Sequence, residues 1–200
     1  MKRKYLSTMT TRPYLYNESK FVAECLVNGM AEDEIKEKVV NDNAFKLASR
    51  DRRERFYSEI IKRLDLLDSE LLHHFVYQDK QTSKLILLLA LLKRDRLFYE
   101  WMREVVWDKY LIMEQCINYN DILGFMERKK EQDDTIANWT DETIKRLINS
   151  YQNTLVASEL ASPVVGGLVL HQPLISISVR NYLIENEEKQ VVEVLLGEVL

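Results

Sequence analysis

The stretch KLILLLALLK, residues 84–93, carries eight apolar residues in succession between two lysines. A segment that is apolar on all sides predicts a helix that is buried on every face. Eight residues are far fewer than the roughly 20 that a helix needs to cross a bilayer. The run therefore predicts the central helix of a water-soluble protein, with other helices packed around it.

The composition of the whole chain also favours helices. Among 200 residues there are only 5 glycines and 3 prolines, which argues against a many-turned β-sandwich. A hydrophobic content of 46% excludes disorder of the chain as a whole. Its two cysteines, Cys25 and Cys116, are each followed by an apolar residue and are interpreted as buried thiols. The basic N-terminus is not followed by the apolar segment of a signal peptide, so we expect a cytoplasmic protein without a membrane span.

Apolar residues recur at helical spacing on both sides of the central run. Before it, the pattern predicts a helix from about Asn17 to Gly29, a second helix around Val39, and a third from an N-cap at Ser49 to about Leu67. The other predicted helices are Leu66–Tyr77, Ser83–Leu92, Asp95–Tyr110, Ile117–Lys130, one capped by Thr140, a short one that includes Leu155 and Leu160, and a final one from about Arg180.

Short β-like runs occur only in the C-terminal third. Leu168–Leu170 and Leu174–Ile177 flank His171-Gln172-Pro173, and we predict that they pair as a hairpin. A hairpin after helices is typical of the wing of a winged helix.

The predicted fold class is therefore mostly α, and we predict a multi-helix protein that forms one compact unit. Residues 1–67 are predicted to form a basic, helix-turn-helix-like part and residues 68–138 a central helical core. Residues 139–200 are predicted to form a winged-helix-like part with a short β-hairpin. No long linker or repeat separates these parts.

Positive charge is concentrated near the N-terminus. Residues 1–63 hold 14 Lys and Arg against 10 Asp and Glu, a net charge of +4. Residues 64–200 hold 14 against 22, a net charge of −8, so the chain as a whole carries −4. The distribution indicates where an anionic partner would bind better than the total does.

The third predicted helix carries a basic stripe opposite its apolar face. The stripe comprises Arg52, Arg55, Lys62 and Arg63, and Arg50 and Arg53 lie at the N-terminal end of the helix, where backbone N–H groups also favour phosphate. A helix pair joined by a glycine turn and followed by an Arg-rich helix is compatible with a helix-turn-helix unit. We predict that these six residues contact DNA, and that Lys2, Arg3 and Lys4 form a flexible arm reaching a neighbouring phosphate or groove. The alternative is that the stripe is only a solvated face.

Signatures of catalysis are absent from the sequence. It contains no GxGxxG, GxxxxGK[ST] or GxSxG motif. His73 and His74 are adjacent on a predicted helix and point about 100° apart, so they do not easily share one metal ion. We therefore predict no catalytic residue, no metal site and no cofactor.

In several of these segments the chain resembles the BrxA family of bacteriophage exclusion (BREX) phage-defence systems. The resemblance spans nearly the whole chain. It rests on Val27-Asn28-Gly29-Met30, Arg52-Arg53-Glu54-Arg55, Ile61-Lys62-Arg63-Leu64, the Leu-rich run 85–92, Arg96-Leu97-Phe98-Tyr99-Glu100-Trp101 and Phe125.

The resemblance implies a non-enzymatic member of a machinery that marks host DNA by methylation and blocks replication of unmarked phage DNA. It implies a helical fold similar to that of NusB antitermination factors, with helix-turn-helix or winged-helix character. It also implies binding of DNA and association with other BREX proteins, such as the methyltransferase.

Our main hypothesis is therefore a protein that binds double-stranded DNA, largely without sequence preference, because phosphate contacts position but do not specify. One alternative is an assembly adaptor that docks other defence proteins through exposed tryptophans; the candidates are Trp101, Trp107 and Trp139. A second alternative is an RNA-binding, antitermination-like factor. The sequence gives no prediction of the oligomeric state.

Overall fold

The computed structural model describes residues 4–200 and is mostly α-helical, as predicted. The helices are α1 (Tyr16–Val27), α2 (Glu32–Val40), α3 (Arg50–Leu64), α4 (Ser69–Tyr77), α5 (Lys80–Arg94), α6 (Arg96–Trp101), α7 (Asp108–Leu111), α8 (Tyr119–Gln132), α9 (Asp134–Ala137), α10 (Asp141–Ala157), α11 (Ile177–Asn186) and α12 (Lys189–Leu196). A 3₁₀ turn spans Thr8–Thr10, and a π-helical stretch spans Met102–Trp107. The strands β1 (Cys116–Asn118), β2 (Ala161–Val164) and β3 (Gly167–Leu170) form an antiparallel sheet in the order β1-β3-β2.

Helix α5 is the central helix that the apolar run predicts. Every residue from 82 to 92 is buried. The helix begins earlier than the run because the Asp79 carboxylate caps it, accepting the backbone N–H groups of Gln81 and Thr82 at 2.9 and 3.0 Å. Helices α3, α4, α6 and α12 pack directly against it.

The N-terminal helices follow in the predicted order, and their ends are set by local caps. Gly29 follows α1 with a φ of 79°, the left-handed conformation expected of it. The Ser49 hydroxyl caps α3 by accepting the Arg52 N–H at 3.2 Å. Helix α3 ends at Leu64 rather than at 67, because Asp68 caps a new helix by accepting the Leu71 N–H at 2.8 Å.

Residues 4–15, which we call the N-terminal strap, cross the molecule before α1 begins. Three of its side chains are buried in the core: Tyr5, Met9 and Tyr14. Its hydrogen bonds to later helices join Tyr5 to Glu100 (2.9 Å), Ser150 to the Met9 carbonyl (2.8 Å) and Tyr14 to the Lys84 carbonyl (2.5 Å). The strap thereby connects α6, α10 and α5.

The predicted helix 95–110 is confirmed as one continuous helical segment, Arg96–Leu111, formed by α6, the π-helical stretch and α7. Asp95 caps it by accepting the Phe98 N–H at 3.0 Å. Trp101 on this segment is fully buried, and its ring lies 5.2 Å from that of Tyr151 in α10. The segment therefore joins the middle of the chain to its C-terminal third.

The predicted helix from Ile117 begins with a strand instead. Residues Cys116–Asn118 pair with β3, and the helix starts only at Tyr119. A strand of three residues is too short to show β-type alternation, so its pairing is fixed by β3 rather than by its own sequence. Cys116 is exposed on this strand and Cys25 is partly buried, so the interpretation of two buried thiols is wrong for Cys116.

The predicted hairpin exists in the C-terminal third, but different strands form it. Strands β2 and β3 pair around the turn Val165-Gly166, where Gly166 has a φ of 85°. The prediction that residues 174–177 pair with 168–170 is wrong, because β1 and β2 occupy both edges of β3. Residues 171–176 have no regular secondary structure, and Ile177 begins α11.

Two other boundaries in this region differ from the prediction. Helix α10 runs without a break to Ala157, so Leu155 belongs to it and no separate short helix follows. The final predicted helix is divided into α11 and α12, which are separated at Glu187 and Glu188.

The buried apolar side chains form one hydrophobic cluster, to which residues of 1–67, 68–138 and 139–200 all contribute. The side chains of α5 lie within this cluster. Across residues 4–200, none of the helices combines the length and the apolar character that spanning a bilayer requires.

Candidate nucleic-acid interface

Helix α3 presents a cluster of cations to solvent, mostly over its first two turns. We call it the basic face; it comprises Arg50, Arg52, Arg53, Arg55 and Lys62. Arg53 is partly buried and the other four are exposed. The sequence produces this face because Phe56, Tyr57, Ile60 and Leu64 turn the opposite side of the helix into the core.

Two cations of the basic face are paired with acidic neighbours one helical turn away. Arg50 lies 3.0 Å from Glu54, and Arg55 pairs with Asp51. The Arg50 and Arg55 side chains are 65% and 53% exposed, so these are surface ion pairs. Such pairs contribute only about 0.3–0.5 kcal/mol, so a phosphate can replace the carboxylate at little cost.

The other cations have no ion-pair partner within residues 4–200. The guanidinium carbon of Arg52 lies 5.1 Å from the ring centroid of Phe56, which supports the side chain from below. Lys62 lies two turns after Arg55 on the same exposed line of the helix. Arg52 and Lys62 are therefore available to an external anion.

Arg63 does not belong to the basic face, and the prediction that it is exposed is wrong. Its side chain is 1% exposed. The guanidinium donates to the carbonyl oxygens of Arg12 and Pro13, each at 2.6 Å, and to that of Tyr14 at 3.3 Å. Arg63 therefore holds the N-terminal strap against α3 and cannot reach a phosphate.

A buried acid accompanies Arg63. The Glu59 carboxylate lies 3.5 Å from the Nε atom of Arg63 and 3.3 Å from that of Arg94. Helical periodicity places Arg52, Glu59 and Arg63 along one line of α3. The strap covers the end of that line, which the sequence of α3 alone does not reveal.

The predicted N-terminal arm lies partly outside the described residues, since Lys2 and Arg3 precede residue 4. Lys4 is described and is exposed. It is followed at once by Tyr5, whose hydroxyl donates to Glu100 and whose ring lies 4.0 Å from the Arg96 guanidinium carbon. Lys4 is therefore adjacent in the sequence to a residue that is anchored to α6.

One cation beside the basic face was missed by the sequence analysis. Arg12, on the strap, lines a cleft together with Arg52 and Arg55. It stands alone in the sequence between Thr11 and Pro13, so neither charge clustering nor helical periodicity singles it out. Only the crossing of the strap over α3 brings it to this position.

The tryptophans proposed as docking anchors are not exposed. Trp101 is fully buried, while Trp107 and Trp139 are partly buried against the core. The Trp107 indole also donates to the Glu198 carbonyl at 3.2 Å. These side chains stabilise the fold and leave the adaptor alternative without its predicted anchors.

Two observations bear on metal binding and on nucleophilic catalysis. Within residues 4–200, no group of three or more His, Cys, Asp or Glu side chains is placed to hold a metal ion. The Ser162 hydroxyl lies 2.7 Å from Nε2 of His171, but both residues are exposed and no carboxylate in the described chain orients that imidazole.

Comparisons with known proteins agree with the sequence and the fold. The sequence model of a family described as BrxA matches residues 3–187. A protein described as "BREX protein BrxA" from Bacillus cereus (strain H3081.97) is 31% identical over 194 residues, which are 97% of each chain. A solved structure, described as an uncharacterized protein from Magnetospirillum magneticum, superimposes with a TM-score of 0.82 at 22% identity. It covers 98% of this chain and 100% of its own, and it shows the fold alone.

Proposed function

Because the chain belongs to the BrxA family, we propose that it is a non-enzymatic component of a BREX phage-defence system and that it binds double-stranded DNA. The relative from Bacillus cereus carries BREX in its name, which supports the first part. The second part rests on the basic face of α3. Host and phage DNA meet in the cytoplasm, so the proposal places the protein there.

The observation that carries the proposal is the exposure of Arg50, Arg52, Arg55 and Lys62 on one helix. Helix α3 has 15 residues and is therefore about 22 Å long. A helix is about 10–12 Å across with its side chains and fits the major groove, which is about 12 Å wide. The cations would neutralise phosphates on the groove walls, which gives affinity with little sequence preference.

The order of elements after α7 supports a second DNA-facing unit. Strand β1, helices α8 to α10 and the β2–β3 hairpin follow one another as in a winged helix, in which the last helix before the hairpin enters the groove. The exposed side chains of α10 include Lys145, Arg146, Asn149 and Asn153. Arginine and asparagine are residues that recognise base edges. We infer that α10 is an additional contact.

The non-enzymatic part of the proposal rests on the sequence, which contains no GxGxxG, GxxxxGK[ST] or GxSxG motif. Among the residues that the structure describes, none supplies the exposed Ser162–His171 pair with a carboxylate that would orient the imidazole. Other BREX proteins, the methyltransferase among them, are the partners that the family relationship favours, and no cofactor is part of the proposal.

The test is the binding of a labelled duplex by fluorescence anisotropy over a salt series. We expect log affinity to fall linearly with log salt, with a slope of about 0.9 per phosphate contacted. Arg52→Glu/Arg55→Glu should abolish most binding. Lys36→Glu/Lys38→Glu on α2 is the matched control, since it makes the same charge change at two exposed lysines.

Three results would contradict parts of the proposal. No binding by wild type at low salt would exclude DNA binding by the isolated protein and would favour the adaptor alternative. An equal loss of duplex affinity in both double variants would mean that binding depends on the total charge of the protein and not on the basic face. Preferential displacement of the duplex by single-stranded RNA would favour the antitermination-like alternative.

A further inference from the structure

A cleft lies between the N-terminal strap and the first turns of α3. Its volume is about 400 Å³. The residues that line it are Thr10, Thr11, Arg12, Pro13, Arg52, Arg55 and Phe56. The lining belongs entirely to described residues and holds three guanidinium groups and no carboxylate. Such a lining selects an anion.

Two of the three guanidinium groups lack an acidic partner within residues 4–200. The Nε atom of Arg12 is buried and has no hydrogen-bond partner. The guanidinium of Arg52 lies over the ring of Phe56, which orients it without using its N–H donors. Only Arg55 has a carboxylate, that of Asp51, which is 74% exposed and lies outside the cleft lining.

Arg63 sets the position of Arg12. Its three hydrogen bonds to the carbonyl oxygens of residues 12–14 fix the strap where it passes α3. The sequence predicts that Arg63 contacts DNA. In the structure this buried guanidinium lies beneath the surface instead, and it holds the segment that places Arg12 at the surface. Arg63 is a positioning residue in this arrangement.

We propose that the cleft binds one phosphodiester group of the nucleic-acid backbone, with Arg12 and Arg52 as the principal ligands and Arg55 as a third. This inference rests on the proposed function. Guanidinium groups donate paired, planar hydrogen bonds that match the two free oxygens of a phosphodiester. The strap is then part of the interface, and the contact is made by two segments about forty positions apart in the sequence.

The experiment compares wild type, Arg12→Gln and the control Arg103→Gln in the same anisotropy assay over a salt series. Arg103 is an exposed arginine of the π-helical stretch, so its replacement removes the same charge elsewhere. We expect Arg12→Gln to lower the salt slope by about 0.9 and to weaken two unrelated duplexes equally, because a phosphate contact carries no sequence information. Arg103→Gln should leave the slope unchanged.

Arg12→Lys provides a second variant that keeps the charge but loses the planar fork. We expect it to retain the salt slope and to bind several-fold more weakly than wild type. Arg63→Lys should reduce the slope although it removes no charge, because the strap is no longer held by three hydrogen bonds. Thermal unfolding of each variant, followed by circular dichroism, identifies those that are folded at the assay temperature.

The outcomes separate this inference from the proposed function. If Arg12→Gln keeps the wild-type slope while Arg52→Glu/Arg55→Glu loses binding, DNA binding stands and the cleft assignment is wrong. If wild type does not bind any duplex, the proposed DNA binding and the cleft assignment are both wrong. Inorganic phosphate, tested against chloride at equal ionic strength, should displace DNA from wild type and not from Arg12→Gln. Saturable phosphate binding with no effect on DNA would assign the cleft to free phosphate and overturn the inference.

Discussion

The Nη1 atom of Arg63 in α3 lies 2.6 Å from the carbonyl oxygen of Pro13 in the N-terminal strap. The carbonyl of Arg12 receives a second hydrogen bond of the same length, from Nη2. Burial lowers the pKa of Arg63 to about 10, so the group stays cationic at neutral pH. A charged side chain without access to water therefore joins the two segments that form the candidate interface.

Replacing Arg63 with methionine should lower the free energy of unfolding by about 3 kcal/mol, because it leaves three carbonyls and Glu59 without their buried donor. Arg94 remains 3.3 Å from Glu59, which places the effect at the low end of the range for broken buried pairs. Urea unfolding measures it. Lys62 is the exposed neighbour of Arg63, and the free energy of unfolding of Lys62→Met should stay within about 0.5 kcal/mol of that of wild type. Equal stability of the two variants would contradict the role given to Arg63.

Replacing Gly124 with alanine should raise the free energy of unfolding by about 0.4–1 kcal/mol. Gly124 lies inside α8, where glycine is costly because of its conformational freedom in the unfolded chain. An added Cβ would make an ordinary contact, 3.7 Å from an Arg128 side-chain nitrogen. A thermal melt with a higher midpoint than wild type is the expected result, and an unchanged or lower midpoint would contradict it.

The opposite result is expected for the same substitution at Gly167 in β3. There an added Cβ would lie 2.1 Å from the carbonyl oxygen of Ile117 in β1, and neither backbone can yield without separating the strands. We expect Gly167→Ala to destabilise the protein by about 1–3 kcal/mol. Amide hydrogen exchange should show loss of protection in β1 first. Full protection of β1 would mean that the two strands do not approach this closely.

Stability should depend on the protonation of Asp95. Burial raises the pKa of its carboxyl from the ordinary 3.8 to about 6, against the opposing effects of the Phe98 N–H and of Arg63. The folded state therefore binds this proton more tightly than the unfolded state does. The resulting stabilisation is complete below about pH 3.8 and is lost as the pH rises through about 6.

Asp95→Asn removes this dependence and keeps an oxygen that can accept the Phe98 N–H. We expect the free energy of unfolding of the variant, relative to that of wild type, to rise by about 3 kcal/mol between pH 4 and pH 7, since one pKa unit corresponds to about 1.4 kcal/mol. Urea unfolding at intervals over that range checks it. Parallel curves for the two proteins would exclude Asp95 as the source of the pH dependence. The neighbouring charged residues Glu59, Arg63 and Arg94 are the same in both proteins.

Charge reversal on α10 tests the second contact inferred for DNA. Lys145→Glu/Arg146→Glu should weaken duplex binding and lower the salt slope, because both side chains are exposed and close to the helix N-terminus. The free-energy effect should add to that of Arg52→Glu/Arg55→Glu, as expected for separate contacts. If the α10 variant binds like the Lys36→Glu/Lys38→Glu control, the contact is confined to α3 and the strap.

Features set by neighbouring residues were predictable from the sequence. Ser49 caps α3 and the run 85–92 lies in the buried helix, because a cap and an apolar face depend on residues within one or two turns. The basic face was predictable for the same reason. Arg50, Arg52 and Arg55 are exposed because the core residues of α3 determine which side of the helix faces outward.

The errors in strand pairing and in the composition of the basic face concern partners that are distant along the chain. Arg63 is buried by residues 12–14, β1 is a strand because it meets β3, and β2 takes the edge of β3 that was assigned to residues 174–177. Arg12 enters the candidate site for the same reason. Periodicity describes one helix at a time and carries no information on which segment crosses it.

The N-terminal strap also bears on synthesis of the protein. The Met9 carbonyl accepts its hydrogen bond from Ser150, 141 residues later, so this partner does not exist until most of the chain has been translated. A nascent chain that ends before α10 can hold residues 12–14 through Arg63 but lacks the Ser150 hydroxyl that binds the Met9 carbonyl. The Met9 carbonyl therefore gains its hydrogen bond only after α10 has been synthesised, whereas residues 12–14 can be held beside α3 as soon as Arg63 is present.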